Sequence, residues 1–135
     1  MKIDPYLIFD GTCEEAMNFY AKALGGEVVM MNRFGDSPGC EGLPPERIMH
    51  ARLHFGDQVL MASDSHPAHG HDGIKGFSIA LNVDTPEQSQ RSFQALSAGG
   101  SVTMPLGETP WSQSFGMFTD RFGVPWMVNC AKPGF

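Results

Sequence analysis

The chain has 135 residues, 41% of them apolar and 18% charged, enough to bury one core without disulfide or metal staples and too hydrophobic to stay disordered. A formal charge of −6 with no run of Lys and Arg leaves nothing to neutralise a phosphate backbone, so nucleic acid is not an expected partner. Cys13, Cys40 and Cys130 form no C-x-x-C pair, and no apolar stretch has the length of a signal peptide or membrane span; the expectation is a cytoplasmic chain with free thiols and no membrane partner.

In chain order, the first β-rich run is Tyr6-Leu7-Ile8-Phe9. Thr12, with Glu15 three positions on, predicts a capping box, and Ala16, Phe19, Tyr20, Ala23 and Leu24 give a helical stripe closed by Gly25-Gly26. Strands are predicted over 27–33, 48–55 and 59–63, the last two joined by a tight turn at Phe55-Gly56-Asp57. The Gly- and Pro-rich stretch 35–46 reads as loop, and the polar stretch 64–73 as a linker.

The order then repeats. A strand over 77–83 precedes Thr85-Pro86-Glu87-Gln88, again a capping signature, now with proline at the first helical position. Ser89, Phe93 and Leu96 give a thinner stripe, Gly99-Gly100 closes the helix, and strands follow over 101–104, 115–119 and 125–130 with a turn at Asp120 to Gly123. Superposing the copies puts one added residue inside the second helix. The expected architecture is a single α+β domain over 1–135: module one at about 3–64, an inter-module loop at about 65–75 and module two at about 76–131.

Few residues carry chemistry. His50, Arg52 and His54 alternate on one strand face, opposite Met49, Ala51, Leu53 and Phe55. His50 is either a half-buried strand histidine held by a neighbour or an acid/base group suited to neutral pH. Asp64 ends its strand, where it caps the following turn or orients a histidine or cationic ligand. His66, His69 and His71 with Asp72 form a dense tract that is either a solvated loop or a zinc- or nickel-binding one. The nine methionines read as flexible core filler.

Ordered along nearly the whole chain, several stretches carry a recognisable pattern: Pro5-Tyr6-Leu7 with Phe9 and Gly11, Cys13-Glu14-Glu15-Ala16-Met17, Phe19-Tyr20, Leu24-Gly25-Gly26, Ile48-Met49-His50-Ala51, Leu60-Met61 with Ser63-Asp64, and Phe115-Gly116 before Asp120, Phe122-Gly123-Val124 and Trp126. The chain resembles the PhnB-like proteins of the glyoxalase/bleomycin-resistance (vicinal oxygen chelate) superfamily. The resemblance implies two tandem βαβββ modules whose curved mixed sheets surround a cleft, usually in a homodimer. Metal-dependent members take His, Glu or Gln ligands from the first and last strands of each module. The matching positions here are Pro5, Met61, Ser78 and Met127, which offer a divalent cation almost nothing. Neither metal nor other cofactor is therefore expected.

Taking those four positions as facing inward, alternation adds Leu7, Phe9, Val59, Ser63, Ala80, Asn82 and Asn129 to the same faces, with Trp111 leaning over the mouth ahead of Phe115. Trp111 serves equally as an interface or core anchor. The resulting expectation is an apolar site for a small organic molecule, lined by Leu7, Phe9, Met61, Ser63, Ser78, Asn82, Trp111, Phe115, Met127 and Asn129. The alternative is an enzyme, either metal-assisted through unusual ligands or an acid/base catalyst using His50 and Asp64. The methyltransferase label some family members carry finds no support, because the glycine pairs close helices instead of opening a phosphate-binding turn.

Overall fold

The computed structural model describes all residues, Met1–Phe135, and the chain divides into two compact units, Met1–Gly73 and Ile74–Phe135. The first unit contains β1 (Tyr6–Phe9), α1 (Cys13–Leu24), β2 (Glu27–Arg33), β3 (Ile48–Phe55) and β4 (Gln58–Asp64), with a single 3-10 turn at Phe34–Asp36. The second contains β5 (Ile79–Asn82), α2 (Pro86–Ser97), β6 (Ser101–Gly107), β7 (Ser112–Thr119) and β8 (Pro125–Ala131). Each is βαβββ, as the repeat predicts.

The sheets repeat one topology: β1-β4-β3-β2 in the first unit and β5-β8-β7-β6 in the second, with the first strand of each unit parallel to the last. A hairpin supplies an antiparallel neighbour, but the opening strand reaches its partner only after the helix has crossed over, hence the mixed sheet. In each unit the helix covers one sheet face: α1 lies across β3, β2 and β4, and α2 across β7, β8 and β6.

The core follows from that coverage. α1 buries Cys13, Ala16, Met17 and Tyr20, an i, i+3, i+4, i+7 stripe, against Leu7, Phe9, Ala51, Leu53 and Ala62. The buried stripe therefore starts at Cys13 and leaves Phe19 only half-buried. α2 buries Ser89, Phe93 and Leu96, as expected, against Phe118, Trp126, Val128 and Cys130. Phe93 meets Phe118 edge-on at 5.0 Å, a favoured aromatic geometry.

The helix ends differ instructively. At α2 the capping box is complete: Gln88 N donates to Thr85 Oγ1 at 3.1 Å, and Thr85 N to Gln88 Oε1 at 3.2 Å. At α1 the expected box is absent, since the Thr12 side chain makes no cap bond. Asp64, 51 residues away, accepts from Cys13 N at 3.0 Å and Gly11 N at 2.8 Å instead. Both helices span 12 residues, so the added residue lies after α2, at the non-helical Ala98. Within each glycine pair the labour is divided. Gly25 and Gly99 take the left-handed conformation, whereas Gly26 and Gly100 have no room for a Cβ against the His54 and Thr119 carbonyls.

Candidate functional site

One face of each sheet is left uncovered, and the ladder registers state which side chains it presents. In the first unit Tyr6 pairs with Met61 in β4, Met61 with Arg52 in β3, and Arg52 with Met30 in β2. These four form one row across the sheet. The neighbouring row is Ile8, Ser63, His50 and Asn32, and the row on the other side holds Val59, His54 and Glu27.

This register corrects the expected lining. Leu7 and Phe9 are each 1% exposed beneath α1, whereas Tyr6 and Ile8, at 44% and 49%, share the open face with Met61 and Ser63. A strand reading Tyr-Leu-Ile-Phe is apolar on both sides, so alternation gives no parity, and a slip of one residue exchanges the faces. The parallel pairing of Tyr6 with Met61 sets the parity, with Tyr6 and Ile8 on the open side in place of Pro5, Leu7 and Phe9.

In the second unit the expected assignment matches the register. Ala80 pairs with Met127 and Asn82 with Asn129 on the uncovered side, and β7 adds Phe115 opposite Asn129 and Met117 opposite Met127. Ser78 is exposed just ahead of β5. Asn129 Nδ2 donates to Asn82 Oδ1 at 3.1 Å, and Asn129 Oδ1 is buried with no hydrogen-bond partner, a demand for a donor. Trp111, 46% exposed, stands edge-on to Phe115 at 6.1 Å. The face is neutral and largely apolar.

The two residues read as candidate acid/base groups are not brought together. His50 lies on the open face, where its Nδ1 shares a 3.1 Å hydrogen bond with Tyr6 Oη and its ring stacks on the phenol at 5.7 Å. Asp64 is 4% exposed, and besides the α1 contacts its Oδ2 accepts from Ile48 N at 2.9 Å. Three backbone N–H groups occupy a carboxylate that joins the start of α1 to the start of β3. That is a structural anchor, nearer to the capping alternative read from the sequence than to the catalytic one.

The histidine tract does not gather all three rings: His66 and His69 lie with centroids 5.3 Å apart, and His71 is held elsewhere. His71 Nε2 donates to the Ile8 carbonyl at 2.8 Å while its Nδ1 accepts from Gly73 N at 3.2 Å. His66 Nδ1 accepts from Ala68 N at 3.0 Å. His66 and His69 instead help to line a pocket of about 360 Å³ with Ile8, Phe34, Met49 and Ser63. Sequence reasoning missed this pocket because Phe34 and Met49 come from a loop edge and a strand end, with no shared periodicity. At the positions the resemblance implies for a metal, Met61 is flanked by Tyr6 and Met127 by Ala80. Thioethers, a phenol and a methyl group do not fit a divalent cation, and no three His, Cys, Asp or Glu side chains cluster.

Tandem βαβββ units, each with a mixed four-stranded sheet covered on one side by its helix, define a protein made of two repeats of one α+β motif. The profile of the Glyoxalase/Bleomycin resistance protein/Dioxygenase superfamily matches residues 2–128, and the chain belongs to that superfamily. It is 35% identical to Protein YjdN of Escherichia coli (strain K12), over 98% of this chain and 97% of that one. Among solved structures, protein PA1353 from Pseudomonas aeruginosa shares 57% identity at a TM-score of 0.90, covering 96% of this chain and 97% of that chain. The PhnB protein from Bacillus cereus shares 31% identity at 0.81, covering 97% and 100%.

Proposed function

We propose that the chain is a small-molecule-binding protein without a resident metal, taking an apolar organic ligand against the uncovered sheet face of the second unit. The observation that carries this reading is Trp111, half-exposed and edge-on to Phe115, beside the row containing Asn129 with its unpartnered oxygen. An apolar surface with an aromatic plate and one unmet acceptor suits a small organic body carrying a donor. Three free cysteines and the acidic charge support a cytoplasmic setting, and the exposed apolar Val29, Met30, Val102 and Met104 on β2 and β6 support a homodimer. No helix is long and apolar enough to cross a membrane.

The test uses the two tryptophans. Trp126 is 2% exposed and hydrogen-bonded to Asp120, so Trp111 is the accessible reporter. A thermal-shift screen of neutral and charged aromatic compounds should yield hits that raise the melting temperature and change Trp111 fluorescence. Trp111→Phe should remove the optical signal and weaken binding at least several-fold. Silence across the screen, or hits indifferent to this substitution, overturns the reading.

A second reading is favoured by the 3.1 Å Tyr6–His50 contact, since a phenol and an imidazole sharing a proton on an open face can exchange it with a substrate. In that reading the chain is an acid/base enzyme, and His50→Ala abolishes turnover while leaving ligand affinity within about twofold. Unchanged turnover in that variant would end it.

A further inference from the structure

Arg52 is the arginine set into the middle of a sheet face. Lys2, Arg33, Arg47 and Lys132 are each paired with a carboxylate, Arg121 donates to the Ala98 carbonyl, and Lys22, Lys75 and Arg91 are exposed. Arg52 is half-buried in the middle of β3 and makes no ion pair. Its row neighbours are the thioethers Met30 and Met61, and its strand neighbours on the same face are His50 and His54. Glu27, opposite His54, is the acidic residue these registers place on the face, and it forms no salt bridge with the guanidinium. In a chain of net charge −6, a half-buried guanidinium beside two methionines with no ionic partner is a place where an anion gains most.

The orientation of the fork is also fixed. Arg52 Nε donates to His54 Nε2 at 3.1 Å, which spends the lateral donor and leaves the two terminal nitrogens free. A planar guanidinium offered end-on matches a carboxylate with two parallel hydrogen bonds. One row further along the strands, a spacing of about 7 Å, stand Ile8 and Ser63, which also border the pocket of about 360 Å³ with Phe34 and Met49. That volume lies at the small end of organic-ligand sites.

We propose that this face selects a small carboxylic acid with an apolar body, its carboxylate seated on the Arg52 guanidinium and its body lying over Met61 and Ile8 toward Phe34 and Met49. This goes beyond the small-molecule reading above: it assigns a site in the first unit and gives its ligand a charge. Anion recognition is assigned to the first unit, because the side chains that the registers place on the uncovered face of the second, among them Ala80, Asn82, Phe115, Met117, Met127 and Asn129, carry no charge.

The experiment measures binding of benzoate, 3-phenylpropionate and hexanoate, and of their neutral primary amides, by ligand-observed NMR. Four proteins are compared: the unaltered chain, Arg52→Met, Arg52→Lys, and Arg91→Gln as a charge-matched control on exposed α2. Expected is at least a tenfold loss of carboxylate affinity in Arg52→Met, a smaller loss in Arg52→Lys, and none in Arg91→Gln. The amides should bind more weakly than the acids and equally to all four proteins. Should Arg52→Met not fold, Arg52→Lys still separates a fork from a point charge. Equal affinity of acids and amides for the unaltered chain, or equal losses in Arg52→Met and Arg91→Gln, overturns the proposal while small-molecule binding survives. No binding of any of the six compounds overturns it too, and the Trp111 screen then decides separately whether the parent reading falls.

Discussion

Trp126 donates a 2.9 Å hydrogen bond from its indole Nε1 to Asp120 Oδ2, and Asp120 Oδ1 accepts from Phe122 N at 2.8 Å and Val124 N at 3.0 Å. One carboxylate thus closes the β7–β8 turn and satisfies the indole N–H of the largest fully buried side chain. Removing it orphans three donors in a site 4% exposed. Asp120→Ala should therefore cost about 3–4 kcal/mol, and Asp120→Asn about half of that, because the amide keeps one acceptor and gains a donor it cannot place. Urea midpoints at constant slope check this; a loss under 1 kcal/mol for the alanine variant contradicts it.

Asp64 does the corresponding work in the first unit, and its substitution separates a structural role from a catalytic one. Asp64→Ala strips Gly11 N, Cys13 N and Ile48 N of their acceptor, a loss of about 3 kcal/mol. Asp64→Asn should be milder. Ligand affinity, measured where each variant is still folded, should stay within about twofold of the unaltered chain. A catalytic carboxylate would give the opposite pattern, with activity lost and stability kept.

Where a signal was local, the sequence carried it. The capping box at Thr85 and Gln88 needs residues only three apart, and the helix-closing glycines adjoin the helices they end. Where a contact joins distant segments, the sequence is silent. Nothing near Thr12 signals that Asp64 will cap α1 in its place, and nothing in Tyr-Leu-Ile-Phe signals which pair faces the helix. On the second sheet the uncovered face was legible because a sequence such as Met127-Val128-Asn129-Cys130 alternates in its demands. On the first it was not, and Tyr6, Ile8 and the placement of Arg52 among methionines came only from the registers.

The second glycine of each pair offers a test of packing without conformational strain. A Cβ on Gly26 would stand 2.6 Å from the His54 carbonyl oxygen, and one on Gly100 would overlap that of Thr119. Neither residue takes a left-handed conformation, so the cost is steric and falls on rigid backbone. Gly100→Ala should cost about 2–4 kcal/mol, whereas Gly107→Ala, with nothing within 4 Å of the added methyl, should change stability by less than about 0.5 kcal/mol. Thermal denaturation of the pair checks both at once; equal melting temperatures would mean that the β6 end of the sheet can shift to admit a methyl group.

The Cys13 thiol sets an alkaline limit. It is fully buried at the start of α1, and desolvation, followed by the nearby Asp64 and Glu14 carboxylates, pushes it from an ordinary 9.0 up to about 12. In the unfolded chain this thiol ionises at its ordinary value, so between pH 9.0 and about 12 the unfolded state has released a proton that the native state retains. Stability contributed by the neutral thiol is therefore complete below the unfolded value and falls as pH rises through that window, by about 1.4 kcal/mol per pH unit at most. Urea unfolding at increasing pH should show this decline, and Cys13→Ala should flatten it after a constant loss for the missing sulfur. Alkylation gives an independent reading: at pH 8 only the half-buried Cys40 should react in the native protein, while Cys13 and Cys130, at 0% and 1% exposure, wait for unfolding. Rapid native labelling of Cys13 would mean that the start of α1 opens, and would remove the basis for the alkaline slope.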